Sequence, residues 1–178
     1  VSVLDWYNTV FELIDMRSFS NLWFWIALAV VWSSASHWIL GVPWDMVIRA
    51  RRGGAQPEAD LSDMVRININ RMFYVVANSG LLLAGLVAFL LTAALLLGFV
   101  YEVEFAQALF LLGFPLSIVG MLSLHTARVI RRDGLTGEAL CKRLAMHRLA
   151  VQAIGMASIF VTAVWGMYHN MFTGPLTG

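Results

Sequence analysis

Residues 72–101 read MFYVVANSGLLLAGLVAFLLTAALLLGFVY and contain no Asp, Glu, Lys or Arg. As a helix, about 20 apolar residues cross a hydrocarbon core of about 30 Å, so this stretch is long enough to span a membrane. Three other stretches are equally free of charge, at residues 18–44, 105–127 and 149–178. A backbone in lipid must satisfy its own hydrogen bonds, and the four stretches therefore predict four spanning helices.

The positive charges lie between these stretches. Of the twelve Lys and Arg residues, eleven fall in the two segments 49–71 and 128–148. By the positive-inside bias both segments are expected in the cytoplasm. Both termini are then expected on the periplasmic side, together with Glu102 and Glu104.

The composition restricts the classes of function. The chain has 178 residues, of which 60% are hydrophobic and 13% charged, and this predicts a single transmembrane domain over residues 1–178 without a soluble domain. The basic residues are explained as topology determinants, so nucleic-acid binding is not expected. Cys141 is the single cysteine, which excludes an internal disulfide, a CxxC pair and an iron–sulfur cluster built by this chain alone.

The predicted fold is an all-α, integral-membrane four-helix bundle. The spans are expected at about residues 22–42, 72–100, 105–130 and 144–172. Residues 3–16 place apolar and acidic side chains on two separate stripes, which predicts an N-terminal amphipathic helix in the interface.

Small residues recur at four-residue spacing in the first two spans. Helices in lipid associate through such close-packing ridges. We therefore expect these residues to pack helices together within the bundle, or alternatively to form an oligomerisation surface: Ala29, Ser33, Gly41, Gly80, Ala84 and Ala88.

Three histidines are candidate ligands for a haem or a chlorophyll-type pigment. A bis-histidine haem needs two imidazoles at matched depth on facing helices. His125 and His147 match in depth near the basic side, and His37 with His125 nearly does. The simpler interpretation is that these side chains contact headgroups or neighbouring helices. In that case no cofactor or metal is expected, and the expected ligands are bound lipids.

Several activities are disfavoured by residues that the sequence lacks. Small multidrug exporters need a buried carboxylate, and four-span thiol–quinone oxidoreductases need paired cysteines. Ser33, Ser36 and His37 are neighbours on one helix and do not form a nucleophile elbow. A polar layer of Asn78, Ser79, Gly80 and Gln152 either lines a quinone or lipid site or holds the helices in register.

Three sequence stretches carry a family resemblance. They are FELIDMRS at residues 11–18, SHW at 36–38 with GVPWDM at 41–46, and VWGMY at 164–168. Together they resemble a small family of four-span inner-membrane proteins of alphaproteobacteria, some of which carry a label tying them to the Suf iron–sulfur assembly complex. The resemblance implies a bacterial inner membrane, and it carries over no catalytic residue.

The sequence thus favours a non-catalytic accessory or assembly subunit that docks onto a larger respiratory or photosynthetic complex. Its expected partners are membrane lipids and other membrane-protein subunits. The alternative is a b-type cytochrome or quinone-site subunit that uses the membrane histidines. A free-standing homo-oligomer is the third interpretation.

Overall fold

The computed structural model describes residues 22–173, and within them the chain is all-α apart from one short hairpin. The elements are α1 (Leu22–His37), β1 (Trp38–Ile39), β2 (Val42–Pro43), α2 (Trp44–Arg51), α3 (Ala55–Phe99), α4 (Glu104–Asp133) and α5 (Gly137–Thr173). The amphipathic helix predicted for residues 3–16 lies outside the described residues.

Three helices are long and apolar enough to cross a membrane, namely α3, α4 and α5. The spans predicted at 72–100, 105–130 and 144–172 fall on these three helices, with only residue 100 beyond the end of α3. The chain therefore fits a membrane-embedded protein. Helix α1 is apolar but shorter, with sixteen residues in the described part of the chain.

The predicted first span extends too far at its C-terminal end. The span was expected to reach residue 42, but α1 ends at His37 and residues 38–43 form an antiparallel hairpin that pairs Ile39 with Val42. The two loop residues, Leu40 and Gly41, both have positive φ, at 52° and 75°. Such a pair makes a two-residue turn whose twist matches the strands.

The first part of α3 stands outside the predicted span. The whole of α3 has 45 residues. At a rise of about 1.5 Å per residue the helix is roughly 68 Å long, about twice the thickness of a hydrocarbon core. Residues 55–71 carry the charged side chains of α3 and residues 72–99 carry none. The apolar side chains of this charged segment, Leu61, Val65 and Ile69, are buried in a core.

This core lies at the basic end of the molecule. It joins the hairpin, α2 and residues 55–71 of α3 to the adjoining ends of α4 and α5, and we call this assembly the basic cap. Its buried residues are Ile39, Val42, Val47, Ala50, Leu61, Val65, Ile69, Ala127, Ile130, Leu140, Cys141 and Leu144. Asn68 ties the hairpin to α3, since its Nδ2 donates a hydrogen bond of 3.1 Å to the Gly41 carbonyl.

The long helices pack in a sequence that leaves α3 at one side. Helix α3 packs mainly against α4, α4 against α5, and α1 against α5. At the end away from the basic cap, Gly98 allows a close approach between α3 and α4, because a Cβ there would lie 2.8 Å from the Gln107 backbone nitrogen. Gly155 plays the same part between α5 and Trp32 of α1, at 2.8 Å from the ring.

Candidate functional site

The three histidines proposed as ligands have different surroundings in the structure. His147 is buried on α5, with 4% of its surface exposed. His125 is exposed on α4, beside Arg128 and Phe73. His37 is exposed at the end of α1, where its ring meets Trp38 edge-on at 5.8 Å between centroids.

His147 faces two hydroxyl groups of α4. Its Nδ1 lies 3.0 Å from Thr126 Oγ1, and its Nε2 lies 3.4 Å from Ser123 Oγ. Ser123 Oγ donates its own proton to the Val119 carbonyl at 2.8 Å. A neutral imidazole protonated on Nε2 satisfies all of these contacts, since it donates to Ser123 and accepts from Thr126.

This arrangement suits helix packing better than chemistry. A haem iron bound by His147 would have to displace a hydroxyl from one ring nitrogen. His125 lies on a different face of α4 from Ser123 and Thr126, the residues that His147 contacts. Within residues 22–173, no carboxylate contacts the imidazole of His147, so Ser123 and His147 lack the orienting acid of a Ser-His-Asp triad. The same residues contain no group of three or more His, Cys, Asp or Glu side chains placed to hold a metal ion.

Most of the small residues predicted to pack helices together are exposed in the described chain. Ala29, Ser33, Ala84 and Ala88 are all exposed. A Cβ at Gly80 would meet only Val76 of its own helix, whereas one at Gly41 would meet Asn68 of α3. Of these two glycines, Gly41 is the one that faces another element, and it lies in the hairpin and not in a spanning helix. Sequence spacing found the ridges, but it does not say which neighbour faces them.

The spanning half of helix α3 is largely uncovered by the rest of the described chain. All residues from 81 to 90 are exposed, and none of its most apolar 18-residue window is buried. Within this half, six exposed residues follow one another at steps of three and four and so lie on one stripe of the helix. We call this stripe the open face, and it consists of Tyr74, Asn78, Leu81, Gly85, Ala88 and Thr92.

Gln107, which the sequence did not single out, makes polar contacts with both neighbouring spans. Gln107 is buried on α4, donates to the Gly98 carbonyl at 2.8 Å and accepts from Trp165 Nε1 at 2.9 Å. It therefore links α3, α4 and α5. A lone amide side chain in the charge-free stretch 105–127 was the available signal, since polar side chains in spans tend to face other helices. Of the predicted polar layer, Asn78 is exposed and Gln152 is half-buried.

The single cysteine lies in the basic cap, ahead of the predicted fourth span. Cys141 is buried, and burial raises the pKa of its thiol. A thiol with a raised pKa stays protonated at neutral pH and is a poor nucleophile and metal ligand. This side chain therefore belongs to the packing of the cap.

Two residues of the resembling stretches have packing roles. Trp165, in the stretch 164–168, is the partner of Gln107. Trp44, in the stretch 41–46, lies under the guanidinium of Arg148 at 4.3 Å from the ring centroid, a distance typical of a cation–π contact. These stretches connect elements that are distant in sequence, as residues of a structural motif do.

Comparisons with protein families, with curated proteins and with solved structures found no match to this chain.

Proposed function

We propose that this protein is a non-catalytic accessory subunit, and that it joins a larger membrane complex through the open face of α3. The observation that carries this proposal is the complete exposure of residues 81–90, a stretch of the spanning helix α3 that its neighbour within the chain, α4, leaves uncovered. The basic cap supplies the packed core of the chain, so the spanning half of α3 is available for a partner.

The chemistry of the open face favours a protein helix over lipid alone. Gly85, Ala88 and Thr92 are small, and small residues let a second backbone approach closely. Asn78 presents an exposed amide that has no hydrogen-bond partner in the described part of the chain. An amide in hydrocarbon is costly unless a neighbouring helix bonds it, and a spanning helix with a polar side chain at that depth would supply this partner.

The proposed setting is the inner membrane of a bacterium, with the basic cap in the cytoplasm. The eleven basic residues in two segments support this orientation, and the family resemblance supports the bacterial inner membrane. Helix α1, packed against α5, is the fourth member of the proposed four-helix membrane bundle. Both termini are then periplasmic, and the complex joined is a respiratory or photosynthetic one.

Docking is tested with a photo-crosslinking residue at position 81, whose native Leu is 91% exposed. In native membranes we expect a crosslink to a spanning helix of another subunit, identified by mass spectrometry, and comigration with a larger complex in a mild-detergent native gel. Gly85→Leu should abolish both signals, because its side chain occupies the space needed for close approach. A Cβ at Gly85 meets nothing within 4 Å, so the chain itself should remain folded.

Gly120→Leu is the matched control. Gly120 is exposed on α4, and a Cβ there also meets nothing within 4 Å. Docking should survive this change. A crosslink between two identical chains would favour the homo-oligomer instead. A crosslink only to lipid, or to residues 1–21 of the same chain, would contradict the proposal.

The alternative function, a b-type cytochrome or quinone-site subunit, leads to a separate prediction. We expect the dithionite-reduced absorption spectrum of the purified protein to lack a haem α band, because hydroxyl groups of α4 occupy both ring nitrogens of His147. A Soret and α-band signal that disappears in both His125→Ala and His147→Ala would establish the cytochrome instead.

A further inference from the structure

A cationic groove lies between α3 and α4 where the spanning half of each helix meets the basic cap. Its volume is about 650 Å³, and its lining residues are Phe73, His125, Arg128, Val129, Arg131 and Arg132. Phe73 lies at the N-terminal end of the charge-free stretch 72–101, and Arg128 directly follows the stretch 105–127. The groove is therefore at the depth where lipid headgroups meet the hydrocarbon core.

The positive charge of the groove is incompletely balanced by the protein. Arg132 pairs with Asp133 at 2.8 Å. Arg128 and Arg131 have no ion pair in the described part of the chain, and no carboxylate lines the groove. The Arg131 guanidinium lies 5.1 Å from the centre of the Phe73 ring, which holds the cation by a cation–π contact without neutralising it. Three guanidinium groups in one groove favour an anion with several oxygen acceptors.

An apolar path on α4 leads directly into this groove. Phe114, Ile118 and Met121 are exposed, and His125, Arg128 and Arg132 continue the same stripe at steps of four and three residues. This stripe of α4 is therefore apolar from Phe114 to Met121, about the length of an acyl segment, and cationic from Arg128 to Arg132. A molecule with the same order of parts is a phospholipid with an anionic headgroup.

We propose that this groove binds the phosphate of an anionic glycerophospholipid, whose acyl chain lies along Phe114, Ile118 and Met121. The number of arginines favours a headgroup with two phosphates, so the expected order of affinity is cardiolipin above phosphatidylglycerol above phosphatidylcholine. Basic pockets between spanning helices are suited to such lipids. The site is separate from the open face of α3 and does not depend on the proposed docking.

Native mass spectrometry of the full-length protein in detergent, titrated with these three lipids, tests the site. Arg128→Gln should weaken cardiolipin binding about fivefold, as expected for the loss of one interfacial basic residue. Arg49→Gln is the matched control, because it removes one charge from an exposed arginine of the basic cap that lies outside the groove and pairs with Asp45. It should leave the affinity nearly unchanged, and equal losses in both variants would overturn the site.

Two further measurements separate a lipid from a free phosphate ion. Met121→Ser should weaken cardiolipin binding while leaving the helix intact, since Met121 is exposed. Inorganic phosphate at millimolar concentration should not displace the bound lipid. Displacement by phosphate together with no effect of Met121→Ser would show a phosphate site and overturn the lipid assignment. Equal binding of phosphatidylcholine and cardiolipin would overturn the role of the arginines.

Discussion

Replacing Leu61 by alanine is expected to lower the free energy of unfolding by about 2–5 kcal/mol, the usual cost of truncating a buried leucine. Leu61 is 1% exposed and belongs to the core of the basic cap. The change removes apolar contacts and leaves a cavity in this core, which contains twelve buried residues from the hairpin, α2, α3, α4 and α5. The loss should appear in a denaturant titration followed by tryptophan fluorescence, because the chain has seven tryptophans.

The control for this prediction is Leu82→Ala on the same helix. Leu82 is 73% exposed in the spanning half of α3, and the change in helix propensity is the same at both positions. Leu82→Ala should lower the free energy of unfolding by less than about 1 kcal/mol. The Leu82 side chain contacts lipid both when the helices are packed and when they are apart, so its truncation removes few contacts that folding creates. Comparable losses in the two variants would mean that the basic cap is not the main stabilising core.

The second large effect is expected at Gly98. A leucine there cannot be accommodated, because a Cβ would lie 2.8 Å from the Gln107 nitrogen and 3.1 Å from the Ala106 carbonyl carbon, which are backbone atoms of α4. The helices must separate, which also breaks the hydrogen bonds of Gln107 to the Gly98 carbonyl and to Trp165. We expect Gly98→Leu to lower the free energy of unfolding by about 3 kcal/mol.

The comparison variant for Gly98 is Gly85→Leu, which lies on the same helix and has open space around its Cβ. The isolated chain carrying Gly85→Leu should unfold at nearly the wild-type denaturant concentration. The two glycines thus separate folding from docking, since the first variant impairs the fold and the second impairs only the proposed association. A neutral Gly98→Leu would contradict the close approach of α3 and α4.

Hydropathy and charge predicted the positions of the long helices well. The predicted spans 72–100, 105–130 and 144–172 lie almost entirely within α3, α4 and α5, because exclusion of charge from hydrocarbon is a property of each stretch by itself. The hairpin at residues 38–43 was missed. Its turn depends on positive φ at Leu40, and leucine gives no sequence signal for that conformation.

The candidate site was less predictable. The sequence predicted that His125 and His147 match in depth, but depth does not give the side of the helix. His147 faces Thr126 of α4, whereas His125 lies on another face of α4, in the groove with Phe73 and Arg128. In an apolar span every face looks alike to a hydropathy pattern, since lipid and helix neighbours are equally apolar. The same reason explains why Ala84 and Ala88 were expected between helices and are exposed.

The sequence by itself determined which stretches are apolar helices, and how the basic residues divide along the chain, because both follow from the free energy of placing each residue in water or lipid. The tertiary structure alone decided which side chains meet: Gln107 with Trp165, His147 with Thr126, and three arginines around one groove. These contacts depend on helix rotation and on close approach at Gly98 and Gly155. Such geometry arises from packing between distant residues, which no local property of the chain encodes.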